Sequence, residues 1–274
     1  MRPTPYPIAD TRLARRIEEW TARDVAAFAA SCRASGIYPD AVAQRVGGGT
    51  LVWIGPGSPV NGSFGLGMAE RPVDLTEVDA LVEFFRQRGE APSTDVCPHA
   101  HPSLLDVLAA AGFVATGFES VLYQPLAGTQ PAPRGGQVSV VIARTAEERA
   151  VWADCEARGF TDDKASSADH ALARALALRD DAIHFLGLVD GEPAGTGMLV
   201  IADGIAAFNG DATLPAFRGR GVQSAILAER LRYAQREGAD LAVIEAAPGS
   251  TSQRNQERAG FRVAYTRASL RLGK

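Results

Sequence analysis

At 274 residues the chain has room for two domains of ordinary size, and its apolar content is that of a folded protein. A formal net charge of -4 argues against nucleic acid or an anionic membrane surface as a partner, since either calls for a basic protein. Three well-separated cysteines, Cys32, Cys97 and Cys155, are odd in number and give no disulfide framework, so a reducing, cytoplasmic setting is expected.

The N-terminal stretch scatters Arg12, Arg15, Glu18 and Asp24 where a secretion signal would be apolar, and no uncharged apolar run reaches the ~18 residues of a membrane span. From Asp10 to Arg33 the spacing of Leu13, Ile17, Trp20, Val25 and Phe28 predicts two helices parted near Thr21 to Asp24. A short strand follows at Thr50 to Ile54, closed by Gly55-Pro56-Gly57. The glycine-rich stretch after it reads as a turn between strands or a loop over a ligand. Asp74 to Arg88 has an apolar face made of Leu75, Val78, Leu81, Val82 and Phe85 and predicts a helix. A strand at Ser93 to Cys97, a helix at Pro102 to Ala111 and a strand at Phe113 to Tyr123 complete a first domain, residues 1–127. Residues 128–137, rich in Pro and Gly, read as the linker.

The second domain, residues 138–274, opens with a strand at Val138 to Ala143 and helices at Ala146 to Arg158 and Ser167 to Leu178. Strands at Ile183 to Val189, Gly195 to Ile201 and Ile205 to Thr213 are joined through Asp190-Gly191 and Asp203-Gly204, dipeptides suited to tight hairpins. After a glycine loop and a helix from Val222 come a strand at Leu241 to Glu245, a helix at Thr251 to Arg258 and a strand at Arg262 to Leu272. The halves echo each other: Ala111-Gly112-Phe113 matches Ala259-Gly260-Phe261, and each is followed by a strand ending on a leucine, Leu122 or Leu270. The first half has Ala69 to Pro72 where the second has its glycine loop, so the first copy should hold an anion weakly or not at all.

That loop, Arg218-Gly219-Arg220-Gly221 between a strand and a helix, is the chemical centre of the sequence. Amides at a helix N-terminus lack intrahelical partners and sit at the positive end of the dipole, so a diphosphate can dock there. The spacing is neither the GxxxxGK[ST] of a phosphate-binding Walker loop nor the GxGxxG of a dinucleotide fold. Arg218-x-x-Gly221-x-Gln223 resembles the [Q/R]-x-x-G-x-[G/A] signature of the GNAT superfamily of N-acetyltransferases, with Gln223 where Gly or Ala is usual.

The resemblance implies an α/β (α+β) chain of two tandem GNAT-like folds, with mixed, mostly antiparallel central sheets flanked by helices, the N-terminal copy degenerate. It implies acetyl-CoA as co-substrate, gripped through Ala212, Thr213, Leu214, Arg218, Gly219, Arg220, Gly221, Val222, Gln223 and Ser224, with Asn255 on the pantetheine arm. An amine acceptor is implied as the other partner, with no metal, nucleic acid or membrane, in a monomer or homodimer. Ser252 is a second candidate for the arm, and Arg220, Arg254 or Arg258 for the 3′-phosphate.

A protonated amine of pKa ~10.4 must lose its proton before attack, and the leaving thiolate needs one. Asp211 is the carboxylate nearest the loop and Glu245 ends the next strand, so these two are the candidate bases. GNAT relatives often supply a tyrosine as acid, but its position here is Gln256, leaving Tyr265 as candidate. A non-catalytic acyl-CoA-binding module is the alternative. Cys97-x-His99-x-His101 has zinc-type donors, but Pro98 and Pro102 disrupt the run. Arg230, Arg232 and Arg236 read as a solvated helix face.

Overall fold

The computed structural model describes residues 6–128 and 137–273, so the centre of the expected linker lies outside the described residues. The chain forms two compact units, neither a single stretch of sequence. The C-terminal unit is built mainly from Leu122–Glu245 and Thr251–Arg262. The N-terminal unit is built from Pro7–Val121, Ala246–Ser250 and the chain from Val263 onward.

In the N-terminal unit, α1 (Thr11–Ala34) is one helix where two were expected. Asp10 caps it by accepting the Leu13 amide at 3.0 Å. No proline or glycine interrupts it, and the Thr21 hydroxyl donates to the Ile17 carbonyl at 3.1 Å instead of breaking the ladder. Strands β1 (Val42–Val46), β2 (Gly49–Trp53) and β3 (Gly62–Phe64) form an antiparallel sheet, of which the sequence showed only the middle strand. Then come α2 (Leu75–Arg86), β4 (Ser93–Val96), α3 (Ser103–Ala110) and β5 (Phe113–Pro125), which leaves this unit after Val121. Val78, Leu81, Phe85, Leu104 and Leu108, all fully buried, form the centre of the core. In a second sheet the chain's last strand, Arg262–Leu272, runs antiparallel to β4, and there the Ser269 hydroxyl donates to Asp95 at 2.6 Å.

The C-terminal unit begins with β6 (Val138–Ile142), α4 (Ala146–Phe160) and α5 (Ser167–Ala177). Strands β7 (Ala182–Val189), β8 (Glu192–Ala202) and β9 (Ile205–Thr213) run antiparallel after β6. Their hairpins turn at Asp190-Gly191 and Asp203-Gly204, all four residues at positive φ, as such turns require. α6 (Val222–Arg236) follows, then β10 (Leu241–Ala246) and α7 (Thr251–Arg258).

Two features of this sheet create the site. β10 pairs parallel to β9 only from Leu241 opposite Ile205 to Ile244 opposite Phe208, so β9 parts from it at Asn209. On the other side of β9, Thr196 faces Ala212 while Met198 faces Asn209, so Gly210 and Asp211 bulge opposite the single residue Gly197. Gly210 takes φ 61°, which a side chain would strain. Alternation along β8 sends the Thr196 side chain to α4, while a Cβ at Gly197 would meet Ile226 and Arg230 of α6. The two helices therefore cover opposite faces.

Candidate active site

β9 ends at Thr213, and Pro215 opens a single 3-10 turn, Pro215–Phe217. The chain then reaches Gly221, the N-cap of α6, at φ 82° and ψ 9°. No side chain caps this helix. The first backbone bond into it is the Ala225 amide donating to the Gly221 carbonyl at 3.0 Å. Among the described residues, the amides of Gly221, Val222, Gln223 and Ser224 meet no protein acceptor. A Cβ placed at Gly219 or Gly221 would find nothing within 4 Å, so glycine here keeps the space above the loop clear. The loop and the start of α6 line a cavity of about 560 Å³.

The equivalent helix of the N-terminal unit starts differently. Asp74 accepts the amides of Thr76 and Glu77 at 3.0 and 3.2 Å, and the Glu77 carboxylate accepts the Asp74 amide at 3.2 Å. The Thr76 hydroxyl and the Glu77 amide hold the Asp74 carboxyl below its usual range. Helix α2 thus closes its positive end with its own carboxylates.

The cavity of the C-terminal unit collects most of the loop residues picked from sequence. Ala212, Thr213, Arg218, Gly219, Gly221, Val222, Gln223, Ser224 and Asn255 line it, together with Asp211 and Ser252. Leu214 is buried, and Arg220 points elsewhere, donating to Asp190 at 3.1 Å. Gly159, Phe160, Phe217 and Thr251 also line the cavity and were not anticipated.

The Arg218 guanidinium is a brace rather than a free cation. It pairs with Asp162 and donates to the carbonyls of Gly159 and Thr213, both at 3.3 Å, tying the end of α4 to the loop. Gln223, the departure from the signature, turns its bulk to α7, where Asn255 donates to its Oε1 at 2.8 Å. Asn255 in turn accepts from Arg258 at 3.0 Å.

The candidate acid and bases have other commitments. Asp211 forms a two-pronged ion pair with Arg230, and Arg230 also donates to the carbonyls of Met198 and Asn209, both at 3.1 Å. Arg230 is 0% exposed, which corrects its reading as part of a solvated face. It fills the space over Gly197 and satisfies carbonyls that the bulge leaves behind. Glu245 is half-buried on β10, has bonding partners of its own and does not line the cavity.

Tyr265 belongs to the N-terminal unit. Its hydroxyl donates to buried Glu18 at 2.7 Å, beside the Arg267 to Glu18 pair, also 2.7 Å. Burial raises the Tyr265 pKa well above 10, making it a weaker acid than an ordinary tyrosine. Gln256, at the family's tyrosine position, is buried and donates to Ser252 at 3.1 Å.

Sequence reasoning missed Glu156. It sits on α4, four residues after buried Trp152 and therefore on the same helix face, and is only 5% exposed. Its carboxyl is hydrogen-bonded to Thr196 behind the bulge. The signal was present, since a carboxylate at that offset from a tryptophan marks a charge on an apolar stripe.

Cys97, His99 and His101 do not converge. Cys97 is buried, with its thiol pushed up to about 12 by burial, while His99 and His101 bond to Thr11 and Ser103. Among the described residues no group of three or more His, Cys, Asp or Glu side chains could share a metal ion, and no helix is long and apolar enough to cross a membrane.

Residues 146–261 match the model of the acetyltransferase (GNAT) family. Among curated proteins none matches the chain. A GCN5-related N-acetyltransferase from Kribbella flavida superposes with a TM-score of 0.65 at 20% identity, over 91% of this chain and 96% of its own. A tandem GNAT protein from the clavulanic acid biosynthesis pathway gives 0.58 at 17% identity, over 98% of both chains. A functionally unknown conserved protein from Staphylococcus epidermidis gives 0.59 at 13% identity, over 87% of this chain and 96% of that one. With β9 splayed from β10 and α6 beginning uncapped beside the split, residues 146–261 match the acetyltransferase (GNAT) family model, in a chain with the fold of tandem GNAT proteins.

Proposed function

We propose that the C-terminal unit is an N-acetyltransferase that moves an acetyl group from acetyl-CoA to a primary amine by direct attack, and that the N-terminal unit holds no coenzyme at α2. The observation that carries this reading is the row of unpartnered amides from Gly221 to Ser224 on the wall of the 560 Å³ cavity. Donors fixed at the positive end of a helix suit a diphosphate, and the polar edge of α7, with Thr251, Ser252 and Asn255, suits an amide-bearing arm.

Asp211 is the carboxylate on the cavity wall, yet both its oxygens are held by Arg230. We therefore give the acetyl-transfer step to the positioning of its reactants, with the amine deprotonated by solvent or by a water relay. Bringing two reactants into contact geometry contributes roughly 7–11 kcal/mol in favourable cases, enough to matter without a dedicated base.

The same commitments of Asp211 and Tyr265, with Gln256 where an acid would stand, favour a second reading, a non-catalytic acyl-CoA-binding module. Calorimetric titration with acetyl-CoA tests both, and absence of heat up to about millimolar coenzyme, where ΔG is only about -4 kcal/mol, rejects both. A panel of polyamines, aminoglycosides and peptides assayed for thiol release then separates them. Turnover on any amine rejects the module reading.

A further inference from the structure

Thr196 lies on β8 between Gly195 and Gly197, and its hydroxyl reaches two oxygens, the Gly210 carbonyl at 3.1 Å and Oε2 of Glu156. A carbonyl only accepts, and a hydroxyl has one hydrogen to give. Both contacts are therefore hydrogen bonds only when the Glu156 carboxyl carries a proton and donates it to Thr196, while Thr196 donates its own to Gly210. The Gly210 carbonyl belongs to the bulge, and the residues that follow, Asp211, Ala212 and Thr213, line the cavity.

The other face of the bulge is already braced by Arg230, through Met198, Asn209 and Asp211. On the Glu156 side, the Trp152 indole N–H is shared between the Phe185 carbonyl at 3.1 Å and the Gly197 carbonyl at 3.4 Å. The Thr196 bond is the brace that depends on a proton.

We propose that Glu156 is a positioning residue of the acetyl-CoA site inferred above, and that in its neutral form it fastens, through Thr196, the β9 bulge carrying one wall of the cavity. When Glu156 loses its proton to solvent, the Thr196 hydroxyl turns to the carboxylate and the Gly210 carbonyl loses its donor. A second negative charge then stands near Asp211.

The charged groups packed around Glu156 are Asp211 from β9 and Arg230 from α6, already matched to each other. On α4 itself Cys155 stays a neutral thiol, pushed up to about 12 by burial. From α5, His170 stands 4.0 Å from Asp154, and from β7, His184 stacks edge-on against Trp152 at 4.9 Å and is lowered by burial to about 4, hence neutral. Burial pushes the Glu156 carboxyl up to about 7, opposed by the Thr196 hydroxyl and Arg230 and assisted by the Asp211 charge. The proton is thus exchanged within the physiological range.

The test is calorimetric titration of the full-length wild type, Glu156→Gln, Thr196→Ser and Thr196→Ala with acetyl-CoA, from about pH 6 to about pH 8.5. Wild-type affinity should be level below about pH 7 and fall by up to tenfold per pH unit above it, the limit for one proton. Glu156→Gln, whose amide donates at every pH, should lose that fall. Thr196→Ser should keep it, and Thr196→Ala should bind weakly without it. Titration of the coenzyme's own phosphate is common to all four and cancels in their ratios.

A wild-type to Glu156→Gln ratio that stays constant with pH overturns the role and leaves the coenzyme reading standing. No binding by wild type at any pH overturns both. Without ligand, infrared difference spectra should show a protonated carboxyl band that vanishes through about pH 7 in wild type and is missing from Glu156→Gln, and its absence from wild type rejects the proposal.

Discussion

Replacing Gly221 by alanine separates the loop's two burdens, backbone conformation and clear space. At φ 82° an alanine costs ~1–2 kcal/mol in left-handed strain, part of which is offset by the ~0.4–1 kcal/mol that losing a glycine takes from the unfolded chain. Among the described residues, no atom beyond the adjacent ones lies within 4 Å of the new methyl, so packing adds no further cost. The net loss of about 1 kcal/mol should lower the melting temperature by roughly 2–4 °C. The methyl does, however, enter the space in front of the Gly221 to Ser224 amides. If a diphosphate sits there, losing one hydrogen bond to a charged group costs ~1.5–3 kcal/mol, a ten- to hundredfold weakening of acetyl-CoA affinity. Differential scanning calorimetry and isothermal titration give the two numbers on one sample. A dissociation constant within about twofold of wild type, alongside the expected small loss of stability, would refute the docking of phosphates at this helix.

Three further outcomes follow from the same geometry. Asp211→Asn should destabilise the protein by ~3–5 kcal/mol in urea unfolding, because it leaves a fully buried guanidinium without its counter-charge; a change under ~1 kcal/mol would mean that Arg230 does not need Asp211. Asp74→Ala should cost about 1 kcal/mol of stability through its lost cap and leave acetyl-CoA affinity unchanged, whereas a second binding event in the titration would place a coenzyme on the amides it frees at α2. His184, lowered by burial to about 4 from 6.5, binds fewer protons folded than unfolded, so its contribution to stability is lost as pH falls through that window. Glu156, raised from 4.5 to about 7, tilts stability the opposite way, so the His184 slope is measured in Glu156→Gln. A flat profile between those pH values would show that His184 takes its proton freely in the fold.

What local pattern can encode was legible before the fold was known. The strands at 205–213 and 262–272 and the helix at 251–258 lie where the sequence puts them, and both Asp-Gly turns adopt positive φ. The glycines of the loop were found because they fall in a short signature spacing just before a helix start, where their lack of a side chain leaves the backbone amides open, and both features are local. β1 escaped notice because VAQRV carries a polar middle and no fully buried residue, and β3 because the three residues GSF show no period. The break expected in α1 is absent because polar residues at Thr21 to Asp24 change its surface and not its ladder.

The chain by itself therefore determined most of its succession of elements and the glycine-rich, uncapped start of α6, since each depends on residues within a turn or two of one another. Only the tertiary structure decided which charges are available. Arg230 and Asp211 are 19 residues apart, Thr196 and Glu156 40, and Glu18 and Tyr265 247. Whether a carboxylate is a base, a counter-ion or a neutral donor depends on what folding packs against it. Burial and a partner's charge move a pKa by whole units, and neither is written in the neighbouring sequence.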